Sequence, residues 1–227
     1  FNNILASILM QPYMIEKTEP QLSDKSRERL ANLTKQAQHA SNLIKQVLDF
    51  SRANDAVMKP LNVVMLVKEF VKLLERTLPE NIRVELHCEA ADSTIQGDPT
   101  RIQQMLMNLA LNARDAMPNG GRFDITLQTI STLPDHLERE ANAYLRIGVS
   151  DSGVGIPQAI IHRVFEPFFT TKGPEHGTGL GLAQVYGIVQ QHYGYIDVES
   201  QPGQGTTFTI YLPLRGSVSG DEDRYGF

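Results

Sequence analysis

Asn108, Asn112 and Asp115 stand four and three residues apart in the run Gln104-Met-Leu-Met-Asn-Leu-Ala-Leu-Asn-Ala-Arg-Asp-Ala-Met117. At helical spacing they share one stripe of an otherwise apolar helix. Buried amides need hydrogen-bond partners, and a stripe of amide and carboxylate oxygens suits a hard cation such as Mg²⁺. A solvated polar stripe reads the same way, so the helix alone leaves both open. A second candidate is Val149-Ser-Asp-Ser-Gly-Val-Gly-Ile-Pro157. There a strand pattern ends on Asp151, whose carboxylate can accept from an exocyclic amine such as adenine's. Gly153 and Gly155 come next and let a flat group approach the backbone. The same Asp-x-Gly-x-Gly spacing is also common turn grammar.

The third candidate, Gly177-Thr-Gly-Leu-Gly181, runs into an apolar helical pattern that starts near Leu180. Free N–H groups at a helix start favour anionic oxygens. Lys172 is a cation in position to reach phosphates. The Gly-Lys-Ser/Thr ending of a Walker loop is missing, and no strand pattern leads into the glycines as a Rossmann fingerprint requires. The fourth, Gly203-Gln-Gly-Thr-Thr-Phe208, is a turn entering a strand. Alternation lets only one of its two threonines face a pocket.

These groups need elements to hold them. Ile4, Leu5, Ile8, Leu9 and Met14 form one apolar helical face. After it comes a polar break, in which Ser23 and Asp24 suit a helix N-cap. Leu30, Leu33, Ala37, Ala40, Ile44 and Val47 then mark a heptad-like seam. One such hairpin has too little core to stand alone, so a homodimer closing a four-helix bundle is expected; packing of the hairpin on its own domain is the alternative. Beyond Pro60 the pattern predicts helices over 66–78, 101–117 and 180–192. It predicts strands over 82–87, 123–129, 143–150, 196–199 and 206–212. Strands and helices interleave without repeated βαβ units, which points to an α+β fold. Its form is a two-layer α/β sandwich with helices on one face of a mixed sheet. The expected domains are a hairpin over 1–58, the α/β domain over 59–214 and a small, polar, acidic linker over 215–227.

The bulk numbers narrow the class. The 227 residues suit one or two domains, and 41% hydrophobic with 21% charged residues is ordinary for a globular chain. A net charge of -5 argues against broad nucleic-acid binding. The single cysteine, Cys88, rules out an internal disulfide framework and reads as a strand residue. No apolar run approaches the roughly 20 residues of a membrane span. A cytoplasmic setting is expected, with any membrane contact made through parts outside this chain.

In combination and order, NLALNARDA, DSGVGI, FEPFF and GTGLGL resemble the N, G1, F and G2 boxes of a sensor histidine kinase's ATP-binding domain, of the Bergerat-type fold. The group is shared with gyrase-type, Hsp90-type and mismatch-repair ATPases. The first sixty residues resemble the dimerisation and histidine-phosphotransfer hairpin. FNNILASI is similar to the residues after the acceptor in a His-Asp-Phe-Asn-Asn box, which puts the acceptor two positions before Phe1. His39, with no acidic neighbour after it, is a poor substitute.

The resemblance implies a site residue by residue. Asn112 binds Mg²⁺ and Asn108 helps orient the phosphates of ATP or ADP. Asp151 takes adenine's amino group, supported through water by Thr206, with Gly153 and Gly155 giving clearance. Gly177, Thr178, Gly179, Leu180 and Gly181 wrap the phosphates, with Lys172 as a lid cation and catalytic group. Asp115 joins the cofactor site at a position where some kinases of the family carry lysine. Hydrolysing relatives have a glutamate base at the position of Asn108, which cannot take a proton. The implied function is therefore phosphoryl transfer from MgATP to a histidine of the hairpin and on to a response-regulator receiver domain, separate or fused. The alternatives are an ATP-hydrolysing clamp and a non-catalytic dimerisation module. Asn3 falls in register with the residue that helps water dephosphorylate the regulator in the resembled family. The remaining histidines, His87, His136, His162, His176 and His192, read as surface or structural residues, His176 also as a lid candidate.

Overall fold

The computed structural model describes residues 2–19, 21–51, 57–90, 93–134, 136–137, 141–173 and 177–216. His176 and all but the first two residues of the predicted linker lie outside them, as do the side chains of Asn3 and His39. The chain divides into two compact units, Phe1–Asn54 with Thr170–Thr178 and Asp55–Phe169 with Gly179–Phe227.

The first unit holds the hairpin of α1 (Asn2–Thr18) and α2 (Asp24–Ser51). Ser23 caps α2, its Oγ accepting from the Ser26 N–H at 3.2 Å, and Asp24 adds favourable charge in the first turn. Ala37 is buried in the seam, whereas Leu33 is exposed, as are Ile8, Met10, Tyr13 and Met14 on α1. Among the described residues no helix is long and apolar enough to cross a membrane.

The second unit is the α/β sandwich. Its elements are β1 (Lys59–Asn62), α3 (Val63–Thr77), β2 (Ile82–Cys88), β3 (Thr94–Gly97), α4 (Pro99–Ala116), β4 (Gly121–Ile130), β5 (Tyr144–Asp151), a 3₁₀ helix (Gln158–Arg163), α5 (Gly181–Gln191), β6 (Tyr195–Gln201) and β7 (Gly205–Pro213). Five strands form one sheet in the order β2-β4-β5-β7-β6; β2 and β4 run parallel and the other neighbours antiparallel. Phe123, Ile125, Leu127, Leu145, Ile147, Val149, Phe208 and Ile210 pack from the sheet against Phe70 and Leu74 of α3, Leu106 and Leu109 of α4, and Val185 and Ile188 of α5.

The small antiparallel pair β1–β3 was not expected from the sequence. Each strand has only four residues, and Pro60 sits inside one of them, so neither carries a readable alternation. The 3₁₀ helix was also missed; it buries none of its residues, so it lacks the apolar stripe by which helices are recognised.

One polar joint ties the two helices that carry the asparagine stripe and the glycine cluster. Asp98 caps α4, its Oδ1 accepting from the Thr100 and Arg101 N–H groups at 2.8 and 3.3 Å, while its Oδ2 accepts from the Val57 N–H at 3.1 Å. Behind it His192, 2% exposed, stands just past the end of α5. The Asp98 N–H can only donate, so His192 Nε2 at 3.1 Å is the acceptor. The Ile188 carbonyl at 2.7 Å can only accept, so Nδ1 carries the proton. His192 is thus neutral, and burial holds its pKa below the ordinary 6.5 despite the nearby Asp98 carboxylate.

The unfolded chain takes up this proton near its ordinary pKa and the folded chain only at lower pH. Stability should therefore fall as pH drops below about 6.5 toward the folded value, because protonated Nε2 cannot accept from Asp98. Thermal melts of the chain and of His192→Gln across that window check this: the variant should show the shallower pH dependence.

Candidate functional site

α4 brings the asparagines to the sheet's helix layer. Its apolar side, Ile102, Met105, Leu106, Leu109, Ala110 and Ala113, is buried in the core, which leaves Asn108 and Asn112 half-buried on the flank toward α5. Asn108 Nδ2 donates to the Gly181 carbonyl at 3.3 Å and to Gln184 Oε1 at 3.0 Å. Asn112 Nδ2 is buried and has no hydrogen-bond partner among the described residues. A Cβ built on Gly181 would lie 3.7 Å from it, so the start of α5 stands directly over this amide. The residue at its N-cap position, Leu180, makes no side-chain cap hydrogen bond. Asp115, one turn on, is exposed and bound by its neighbour, with the Arg114 Nε and a terminal nitrogen donating to its Oδ1 at 3.0 and 2.8 Å.

Asp151 ends β5 at the edge of the same layer. In register it opposes Phe123 on one side and Thr206 on the other, so all three lie on the helix-covered face. Ser150 and Thr207 point the other way and bond each other at 2.9 Å. Thr206 is accordingly the threonine that shares Asp151's face. Asp151 Oδ1 accepts from the Gly153 N–H at 2.8 Å. Burial pushes its pKa above the ordinary 3.8, against the lowering pull of N–H groups from Gly153 and Thr206.

The loop after Asp151 is pinned at both ends. The Val154 N–H donates to the Ala116 carbonyl at 3.0 Å, closing the last turn of α4 onto the loop. A Cβ on Gly153 would stand 2.6 Å from that same carbonyl oxygen. Gly155 has a φ of +70°, and a Cβ there would collide with the Gln201 carbonyl. On the Cβ side of both glycines the space is thus filled by the protein's own backbone, and it is this packing that demands glycine.

Two residues that have no signature in the sequence motifs hold the arrangement together. Ser200, buried on β6, accepts from the Ile156 N–H at 2.7 Å and donates to the Gly205 carbonyl at 2.9 Å. Its hydrogen being used, it accepts from Thr206 Oγ1 at 2.9 Å. Gln184, buried on α5, meets Asn108. A lone polar residue in an apolar helical run was the available signal for Gln184; for Ser200 there was none, because strand pairing cannot be read locally.

The phenylalanine and glycine boxes meet in this unit. The Phe168 N–H donates to the Gly179 carbonyl at 2.9 Å, and a Cβ on Gly179 (φ +67°) would collide with Phe168. Phe165 packs its ring 5.7 Å from Tyr186 and 6.2 Å from Phe208. Leu180 is buried beside this junction in sequence, immediately before α5. Lys172, Gly177 and Thr178 belong to the first unit, where the Lys172 N–H donates to Thr170 Oγ1 at 3.1 Å. The structure therefore groups Asn108, Asn112, Asp115, Asp151, Gly153, Gly155, Gly179, Leu180, Gly181 and Thr206 in one compact unit and leaves those three outside it.

Comparison with known proteins gives a consistent result. Residues 97–216 match the family described as histidine kinase-, DNA gyrase B-, and HSP90-like ATPase. The sensor kinase CckA of Brucella abortus (strain 2308) is 35% identical over 217 residues, which is 94% of this chain and 23% of CckA. The full-length structure of ShkA in complex with AMPPNP superposes with a TM-score of 0.71 at 25% identity, covering 96% of this chain and 44% of ShkA. The nucleotide-free catalytic domain of the histidine kinase ThkA gives 0.57 at 31% identity, covering 69% of this chain and 95% of that domain. The chain thus spans about a quarter of the length of CckA.

Proposed function

Since this chain belongs to the histidine kinase-, DNA gyrase B-, and HSP90-like ATPase family, we propose that it is the core of an ATP-dependent protein-histidine kinase of a two-component system. It binds MgATP, passes the γ-phosphoryl to a histidine of the hairpin, and from there the group goes to an aspartate of a response-regulator receiver domain. The observation that carries this reading is the Asn108–Asn112 pair beneath the start of α5, with a buried amide nitrogen that no group among the described residues satisfies. An orphan buried amide is costly unless a ligand completes it.

The donor set fits a magnesium nucleotide. Asn112 offers an oxygen to a hard cation and its unsatisfied Nδ2 to a phosphate oxygen. Asn108 and the N-terminus of α5 at Gly181 stand beside it. Asp151 accepts from adenine's amino group, and Thr206 supports it from the neighbouring strand. Mg²⁺, when bound, neutralises charge on the phosphate oxygens. Phosphoryl transfer asks for little beyond such positioning and charge neutralisation. Asn108 cannot serve as a general base, and this favours storage of ATP for a histidine nucleophile over hydrolysis by water. Homodimerisation through the hairpin is supported by the apolar side chains it leaves exposed, Ile8, Met10, Tyr13 and Leu33.

Calorimetry with MgADP and a turnover assay with MgATP test the proposal together. Saturable, one-site MgADP binding with negligible turnover is the expected result. Sustained multiple-turnover hydrolysis would point to a clamp ATPase and overturn the kinase reading. Absence of nucleotide binding would leave only a dimerisation module.

A further inference from the structure

Gln184 is none of the residues that would touch the nucleotide, yet it is 7% exposed on a helix whose other buried residues are Ala183, Val185, Ile188 and Val189. A buried amide in such company needs a specific partner. Its Oε1 accepts from Asn108 Nδ2 at 3.0 Å, and the same nitrogen lies 3.3 Å from the Gly181 carbonyl. A backbone carbonyl can only accept, so the Asn108 atom facing it must be the nitrogen whichever way the amide is drawn. Both Nδ2 hydrogens are then consumed by α5. The end of Asn108 that remains is Oδ1, a pure acceptor. It can serve a cation or a metal-bound water, and a phosphate oxygen would repel it.

We infer that Gln184 is a positioning residue for Asn108. It fixes the Asn108 amide with its oxygen free for the Mg²⁺ side of the nucleotide, and it ties that orientation to Gly181 at the start of α5. The same geometry explains why this site takes an amide at position 108. A glutamate there would set carboxylate oxygens against two acceptors, the Gly181 carbonyl and Gln184 Oε1. The inference rests on the nucleotide reading of the site and adds to it the residue that sets which atom of Asn108 is presented.

The test is ADP binding to the full chain by calorimetry, once with Mg²⁺ and once with EDTA, in the unaltered protein, Gln184→Met and Gln184→Glu. Methionine keeps the length and loses the acceptor; glutamate keeps an acceptor oxygen for Asn108. The affinity gained on adding Mg²⁺ should shrink by about tenfold in Gln184→Met, as on removing a group that orients a metal ligand. Affinity in EDTA should stay within about twofold, the scatter of a site without coupling. Gln184→Glu should keep most of the Mg²⁺ gain. An unchanged gain in Gln184→Met, or an equal loss with and without Mg²⁺, overturns the positioning role while the nucleotide reading stands. No ADP binding by the unaltered chain overturns that reading and the inference with it. If Gln184→Met loses its helical far-UV signal, Gln184→Leu reads the same ratio.

Discussion

Asp151→Asn is expected to weaken nucleotide binding by roughly 1–3 kcal/mol, the range for losing a charged hydrogen bond at a buried site. The carboxylate is already engaged, its Oδ1 accepting from the Gly153 N–H at 2.8 Å, with an N–H of Thr206 also directed at it. Asparagine has one oxygen. If that oxygen stays with the loop N–H groups, the amide NH₂ faces adenine's amino group, donor against donor. Guanine presents an acceptor where adenine presents that amine. The variant should therefore lose ATP-over-GTP preference along with affinity, a change that general damage to the fold would not produce.

The electrostatics of Asp151 separate its binding role from any structural one. Burial raises its pKa above 3.8, so the folded state holds the proton more tightly than the unfolded state. Its neutral form thus favours folding below the unfolded pKa, and that contribution is lost as pH rises through the folded pKa. At neutral pH the charge costs stability. Asp151→Asn should melt no lower than the parent chain while binding worse, and the parent's affinity should fall as pH drops through the raised pKa whereas the variant's should not. Calorimetry against pH, with a thermal melt of each protein, checks both halves. A parallel fall in melting temperature and affinity would mark Asp151 as a structural residue instead.

The sequence made some of this legible and hid the rest for physical reasons. The stripe of Asn108, Asn112 and Asp115 was readable because helical period alone places residues on one face. The structure then separated the members: Asn108 and Asn112 are half-buried toward α5, while Asp115 is exposed and bound by Arg114. The sandwich was readable from long apolar elements such as β4, whose alternation survives in its burial, and β5 and β7, which are buried along nearly their whole length. The pair β1–β3 and the 3₁₀ helix were not, being short or lacking a buried face. His192 was read as surface or structural; burial at 2% and two hydrogen bonds settle it as structural. Ser200 and Gln184 act through partners six and seventy-six residues away, which no local pattern announces.

Gly203 and Gly205 look alike in sequence, and substituting them should separate two kinds of glycine. Both have positive φ, +78° and +92°. Around Gly203 a Cβ would meet nothing within 4 Å, so Gly203→Ala should cost only the left-handed backbone conformation, about 1–2 kcal/mol. A Cβ on Gly205 would collide with the Asp151 carbonyl and stand 2.9 Å from Ser152 Cα. Neither group can swing aside, because both are backbone between β5 and a loop whose Gly153 N–H is tied to the Asp151 carboxylate and whose Val154 N–H is tied to the Ala116 carbonyl of α4. Gly205→Ala should therefore add steric displacement to the conformational cost, a total of about 3 kcal/mol or more. It should also shift Asp151 and weaken ADP binding, since the strand that must move carries Thr206, the partner of Asp151 in register. Urea unfolding of both variants reads the stability gap, and calorimetry reads the coupling. Equal costs at the two positions would mean that β7 yields to the added methyl, and that the close approach of Gly205 to Asp151 does not hold the carboxylate in place.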